Sequence, residues 1–177
     1  MKKPMGNLSF KIMAVLLRLF KKEPFMRKRL EFAGIWEGQV VLDFGSGPGY
    51  FSALAAEIVG PYGKVYAADI QPLVTDYIES LKEKRNLENL VAIVTDCDTS
   101  LQDESVDVIL LFDIIHMLED PYRVLREMIR ILKSDGILCV DVYHMPVERA
   151  IGIVESAGFS KDEQLENTIN FVKNIKK

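Results

Sequence analysis

Ten residues, Val41–Tyr50 (Val-Leu-Asp-Phe-Gly-Ser-Gly-Pro-Gly-Tyr), carry the densest chemical signal in the chain. Gly45, Gly47 and Gly49 permit backbone dihedrals and close approaches that a Cβ would block, so a ligand can lie against main-chain N–H groups. Asp43 precedes the loop by two residues. The spacing is Gly-x-Gly-x-Gly, and Tyr50 stands where a dinucleotide fingerprint needs a third Gly or Ala. The bland alternative is a tight strand-to-helix turn; three alternate glycines plus Asp43 count against it. Further on come Asp69, Asp96 with Cys97, Asp113, His116, and then Tyr143 with His144. Each has its own plain alternative. Asp69 could cap the next helix, Asp98 could replace Asp96, Asp113 could be an N-cap, and His116 and His144 could simply be packed.

These residues need elements to hold them. Short apolar runs at Val40–Phe44, Lys64–Ala68, Leu90–Thr95, Val106–Phe112 and Ile137–Val142 suit strands buried on both faces. Helical stretches alternate with them: Tyr50–Val59, Pro72–Arg85 with Pro in its first turn, Pro121–Lys133 with Asp120 as N-cap, and Pro146–Ala157 ending at Gly158. Strands separated by helices imply parallel pairing through right-handed crossovers. The tail Phe159–Ile175 suits two strands around a turn near Glu166–Asn167, and a short turn forces antiparallel pairing. The expected fold is α/β: a doubly wound, mostly parallel sheet of seven strands whose last two form an antiparallel hairpin, preceded by N-terminal helices. In such sheets ligands bind at the carboxyl ends of the strands near the topological switch point. That edge collects Asp43–Tyr50, Asp69, Asp96–Cys97, Asp113–Met117 and Tyr143–Met145.

Val41–Tyr50 resembles motif I of the Rossmann-like S-adenosylmethionine-dependent methyltransferases, of the small-molecule type. Val65–Asp69 looks like the second motif, with its ribose-binding acid. Asp96-Cys97 stands where adenine contacts fall. Asp107–Leu118, including His116, resembles the fourth-strand motif. Leu132–Leu138 is similar to the turn into the fifth strand, and Ala157-Gly158-Phe159 to the entry of the terminal hairpin. The resemblance spans Val40–Phe171.

What the resemblance implies is S-adenosyl-L-methionine held by the loop Gly45, Ser46, Gly47 and Gly49, with Gly45 and Gly47 along the methionine moiety. Asp43 would hold the loop and the amino group. Asp69 would accept both ribose hydroxyls, and Ile70 would pack on the adenine. Asp96 would accept from the adenine amino group, the Cys97 backbone would serve a ring nitrogen, and Asp113 would sit beside the methyl group. A base is needed only for a protonated nucleophile, and His116, His144 and Tyr143 are the nearby candidates. Asp113-Ile-Ile-His116 lacks the Asn/Asp-Pro-Pro-Tyr pattern of amide, amine and base methylators, which counts against nitrogen acceptors. Two other classes stay open: a cofactor-binding module that regulates a partner, and a nicotinamide-dependent oxidoreductase. Tyr50, Asp43 and the lack of room for a substrate domain count against the second.

The bulk properties set bounds. The 177 residues fit one domain, and 49% hydrophobic with 27% charged is ordinary for a globular chain. The net charge of −4 is uneven: Met1–Glu31 carries +7 and the remainder −11. A basic head can meet anions such as lipid headgroups, or can be a solvated face. The acidic body argues against nucleic acid. Two cysteines, Cys97 and Cys139, make no CxxC pair, so neither a disulfide framework nor a zinc site is expected, and a reducing cytoplasm fits.

The chain divides at 1–37, a helical segment that could serve as lid or docking element, and 38–177, the cofactor domain. Asn7–Lys22 reads as a helix, with Lys11, Ala14, Arg18, Lys21 and Lys22 on one narrow face and apolar residues over most of the rest; a second runs Phe25–Ala33. The apolar stretch Ile12–Phe20 is too short to span a bilayer and lacks a cleavage site. The acceptor is expected to be a small molecule whose pocket is roofed by the N-terminal helices, by a partner subunit or by the acceptor itself, and the apolar first helix points to an apolar acceptor or to contact with a membrane surface.

Overall fold

The computed structural model describes residues 4–20 and 23–174; of residues 18–20 it describes the backbone alone. Two helices, α1 (Asn7–Phe20) and α2 (Glu23–Phe32), precede the alternation β1 (Val40–Phe44), α3 (Tyr50–Val59), β2 (Lys64–Asp69), α4 (Val74–Arg85), β3 (Leu90–Val94) and β4 (Val106–Phe112). A 3₁₀ turn at Ile115–Met117 leads into α5 (Pro121–Ile131), β5 (Leu132–Asp141), α6 (Val147–Ser156), β6 (Phe159–Leu165) and β7 (Thr168–Lys173). The seven strands form one sheet in the order β3-β2-β1-β4-β5-β7-β6. The first five are parallel, and β7 pairs antiparallel with both β5 and β6. The last strand therefore inserts between β5 and β6. The order reverses between β1 and β4, which puts the switch-point crevice beside Asp43 and Asp113.

The continuous apolar runs are explained by two cores, one on each sheet face. Val41, Val65, Val108, Leu110 and Cys139 pack with α2, α3 and α4. Their neighbours Leu42, Ile109, Leu111, Leu138 and Val140 point the other way, with α5 and α6. Successive residues of a strand face opposite sides, so a strand covered on both sides must be apolar at every position.

The boundaries differ from expectation for local reasons. β5 begins at Leu132 rather than Ile137, and α5 ends at Ile131 rather than Lys133. Val106 pairs with Leu132 and Val108 with Ile137, so Lys133–Gly136 bulge out opposite Asp107. Lys133 Nζ donates to Asp107 Oδ1 at 2.6 Å, and a Cβ on Gly136 would come within 2.9 Å of the Asp107 carbonyl oxygen. α4 begins at Val74 rather than Pro72, because Asp69 Oδ1 accepts the Gln71 N–H at 2.8 Å and holds the chain in a turn. Asp120 caps α5 as expected, accepting the Arg123 N–H.

The N-terminal segment divides into two kinds of structure. Met26 and Leu30 of α2 belong to the core with Leu54 and Val108. Arg29 of α2 is buried and donates through Nε to Asp141 Oδ2 at 2.9 Å. α1 instead lies over the carboxyl edge of the sheet. It turns Phe10, Met13, Ala14 and Leu17 inward and leaves Leu8, Ile12, Val15 and Leu16 in solvent. Ala14, expected on the basic face, is thus an inward residue. A helix that is apolar over most of its circumference cannot be oriented by periodicity alone. Lys21 and Lys22 of that face, and Ile175 of the tail, lie outside the described residues, and the Arg18 side chain is likewise not described. Among the described residues no helix is long and apolar enough to cross a membrane.

Candidate active site

A cavity of about 820 Å³ opens at the carboxyl edge of β1, β2 and β4, beneath α1. Its floor is the loop after β1. Gly47 has φ +55°, a region side chains rarely adopt, and a Cβ there would point toward Met13 Cε 3.7 Å away. The loop thus exposes backbone to the cavity. Gly49 does different work: a Cβ there would collide with Ile78 Cδ1 of α4, and the residue does not line the cavity.

Asp69 fastens this loop to β2. Its two carboxylate oxygens accept the N–H groups of Gly47 and Gln71, each at 2.8 Å. The residue is only 8% exposed, and burial pushes its carboxyl above the usual range, while those N–H bonds pull it back. Each oxygen still has acceptor capacity for a ligand hydroxyl. Asp43, also buried, accepts the Ser52 hydroxyl at 2.5 Å. Ser46 Oγ is buried and has no hydrogen-bond partner among the described residues. A buried hydroxyl without a partner carries a free-energy cost that a polar ligand can remove. The open backbone at Gly47, the Asp69 carboxylate and the orphaned Ser46 hydroxyl together fit a ligand such as S-adenosylmethionine, with its ribose diol and amino acid.

The opposite wall holds Asp113, His116 and His144. Asp113 follows β4 in a left-handed conformation, φ +55°. Its N–H donates to the Asp141 carbonyl at 2.7 Å. Its Oδ1 accepts the Tyr143 N–H at 3.2 Å, and its Oδ2 lies 2.8 Å from His144 Nδ1. His116, placed by the 3₁₀ turn, has Nδ1 3.6 Å from Asp113 Oδ1. The cover is apolar: Met5, Phe10, Met13 and Leu17 complete the cavity from above. Phe10 stacks edge-on against Tyr77 with ring centroids 5.5 Å apart. Tyr50 Oη donates to the Ala14 carbonyl at 3.2 Å, and Gln71 Nε2 to the Met5 carbonyl at 2.7 Å.

Of the residues singled out from sequence, Asp43, Gly45, Ser46, Gly47, Asp69, Ile70, Asp113, His116 and His144 line this cavity; Gly49, Asp96, Cys97 and Tyr143 do not. Asp96 is half-buried and pairs with Arg123 at 3.3 Å. The Cys97 N–H is taken by Thr95 Oγ1 at 3.1 Å, and burial raises its thiol. The Tyr143 hydroxyl accepts from Arg29 Nη2. Burial and the Asp141 carboxylate hold that phenol above its ordinary value. Sequence reasoning missed Gln71, Phe112 and the inward face of α1, and read Tyr50 only as part of the glycine loop at the ligand edge. Gln71 left one signal, a polar residue two positions beyond a strand-end acid.

A methyltransferase-domain family model matches residues 35–173. The chain belongs to that family, with the Rossmann-like fold of its S-adenosylmethionine-dependent class. It is 28% identical to the arsenite methyltransferase of Halobacterium salinarum, over 76% of this chain and 32% of that one. It is also 28% identical to the ubiquinone/menaquinone biosynthesis C-methyltransferase of Pectobacterium carotovorum, over 74% of this chain and 53% of that one. The chain thus spans between a third and about half of these relatives. A SAM-dependent methyltransferase from Aquifex aeolicus superposes with a TM-score of 0.79 at 24% identity, covering 96% of this chain and 97% of that one.

Proposed function

We propose that the protein transfers a methyl group from S-adenosylmethionine to a small acceptor with an apolar body, by in-line displacement. One observation carries this: a single cavity joins a polar edge, Ser46, Gly47 and Asp69, to an apolar roof, Phe10, Met13 and Leu17. The first half suits the donor and the second an apolar acceptor. Among the relatives, the names arsenite methyltransferase and ubiquinone/menaquinone biosynthesis C-methyltransferase point to small molecules, and the second to an apolar class.

When bound, S-adenosylmethionine supplies a methyl group already activated by its sulfonium. The chain's own residues have to bind, orient and exclude water. Asp69 holds the ribose hydroxyls while it fixes the Gly47 and Gln71 backbone. Asp43, held by Ser52, supports the loop against the methionine moiety, and Ser46 Oγ gains a partner there. The adenine end falls to Ile70, beside Asp69. Asp96 and the Cys97 N–H, already engaged with Arg123 and Thr95, drop out of this scheme. Asp113, His116 and His144 face the acceptor, where a protonated nucleophile would lose its proton. Alignment of acceptor and methyl–sulfur bond supplies several kcal/mol of the barrier. Leu8, Ile12, Val15 and Leu16, exposed on the outer face of α1 beside Lys11, form a contact surface for the apolar phase that delivers such an acceptor.

Calorimetric titration tests the donor half. S-adenosylmethionine and its demethylated product should bind with one-to-one stoichiometry and NAD should not; the reverse result would make the protein an oxidoreductase. Methyl transfer to at least one member of a panel of phenols, quinols, thiols and arsenite tests the acceptor half. Binding without transfer to any of them would leave a regulatory module.

A further inference from the structure

Three potential metal ligands converge on the acceptor wall. Asp113 ends β4, His116 follows in the 3₁₀ turn, and His144 follows β5. Their donor atoms all lie within 4.8 Å of one another, and the imidazole centroids are 5.1 Å apart. Donor atoms around a tetrahedral zinc ion at 2.0–2.2 Å stand roughly 3.4 Å apart. Asp113 Oδ1 and His116 Nδ1 stand 3.6 Å apart, close to that value, whereas His144 Nδ1 lies 2.8 Å from the other oxygen, Oδ2, a hydrogen-bond contact that has to open by about 0.6 Å for a metal to take its place. The spacing rules that exclude a zinc site from Cys97, Cys139 and the histidines do not bear on this set, because the sheet rather than the sequence brings position 144 beside 113 and 116.

We propose that Asp113, His116 and His144 bind one divalent transition-metal ion, of which zinc is the representative. Two imidazoles and one carboxylate suit zinc, cobalt, nickel or iron, whereas magnesium and calcium take oxygen sets. Three protein ligands leave one tetrahedral position open, the arrangement of a catalytic rather than a structural site. All three residues line the cavity, so that position opens onto it. The plain alternative is an Asp113–His144 pair that merely orients one imidazole. It leaves unexplained why the 3₁₀ turn brings His116 to the same carboxylate.

The consequence for the acceptor rests on the methyl-transfer reading above; metal binding itself does not. A metal at this place selects acceptors with an oxygen or sulfur that can lose a proton. Coordination lowers the pKa of such a group toward neutrality, and its proton leaves to solvent. The heteroatom lone pair then forms the bond to the methyl carbon. The methyl–sulfur bond breaks, and its electron pair stays on sulfur as the neutral thioether.

The test uses the full chain, without a histidine tag, stripped of metal and titrated with Co²⁺. The expected result is one equivalent bound with the intense visible bands of tetrahedral cobalt, which Zn²⁺ then displaces. Asp113→Asn, His116→Ala and His144→Ala should each weaken cobalt binding by roughly tenfold or more, in line with the cost of disturbing a metal site. His144 is 66% exposed, so its substitution does not threaten the fold, and a melting curve on each variant checks the rest. Absence of the bands, or cobalt affinity undiminished in all three variants, overturns the proposal. Calorimetry with S-adenosylhomocysteine on the same samples separates the two claims. Cobalt bound without S-adenosylhomocysteine would sink the methyl-transfer reading and leave the metal site standing; the opposite result would do the reverse.

Discussion

Asp69 and Gly47 are joined across the cavity floor: the Gly47 N–H donates to Asp69 Oδ2 at 2.8 Å, linking positions 22 residues apart. The bond fixes a loop whose backbone must face a ligand, and it ties that loop to the one carboxylate at the end of β2. Removing the carboxylate therefore disturbs two things, the contact to the ligand and the shape of the loop.

Asp69→Ala should lower the affinity for S-adenosylmethionine by tenfold or more. A hydrogen bond to a charged group contributes ~1.5–3 kcal/mol, and 1.4 kcal/mol corresponds to tenfold. Asp69→Asn, which keeps an acceptor for one of the two N–H groups, should bind better than the alanine variant. Calorimetry on folded variants decides this; unchanged affinity for the alanine variant would remove Asp69 from the site.

Much of the fold can be read from the sequence because burial on both faces leaves a strand no polar option. Val40–Phe44 and Val106–Phe112 are apolar except at Asp43 and Asp107, and both acids have specific partners. Asp43 holds Ser52, and Asp107 holds Val40 N–H and Lys133. The glycine loop and Asp69 are legible for the same reason: few other roles suit those residue types at those places. What escapes is whatever depends on a distant partner. Asp96 and Tyr143 sit at the correct strand ends, but they pair with Arg123 and Arg29 and do not line the cavity. The face that α1 presents and the 3₁₀ turn at His116 are fixed by contacts that no local pattern encodes.

Arg29→Met should destabilise the protein by about 3–5 kcal/mol, the cost of removing one member of a buried ion pair. Arg29 and Asp141 are 3% and 2% exposed, and their 2.9 Å contact holds α2 to the end of β5, next to Tyr143 and His144. Denaturant unfolding measures the loss. The double variant Arg29→Met with Asp141→Leu should recover much of it, since both charges of the buried pair are then gone. Single and double variants of equal stability would show that the pair's isolation from solvent has been misjudged.

Acid should release the β3–β4 connection before the sheet. Glu127 of α5 accepts from the Thr99 N–H at 3.0 Å, the Thr99 hydroxyl at 2.6 Å and Arg130 at 2.8 Å. Arg130 is the largest cause of a carboxyl lowered to about 2, and the Thr99 hydrogen bonds add to it against burial. A lowered folded value means the folded state binds fewer protons than the unfolded chain. The stability from this group is full above about 4.5 and is lost as pH falls toward 2. Glu127→Gln should therefore reduce stability at neutral pH and flatten the acid limb of the pH–stability curve. An acid limb identical to that of the parent protein would assign the acid sensitivity to other carboxylates.

The position of α1 over the cavity can be tested by deletion. Its inward face closes the cavity through Phe10, Met13 and Leu17, and among the described residues it meets the body through Tyr50 Oη on the Ala14 carbonyl and, just before the helix, Gln71 on the Met5 carbonyl. α2, by contrast, is built into the core by Met26, Leu30 and the Arg29–Asp141 pair. A helix that covers the site without supporting the sheet should be dispensable for folding. Removing Met1–Lys22 should thus leave a protein that melts close to the parent and still binds S-adenosylmethionine, because Asp69, Gly47 and Ser46 remain. Methyl transfer should fall severely, because the apolar roof over the acceptor is gone and water enters. Phe10→Ala, which deletes the most buried side chain of the roof and its edge contact with Tyr77, should move activity in the same direction by a smaller amount. A truncated chain that aggregates, or that melts far below the parent, would make α1 part of the core and end the lid idea.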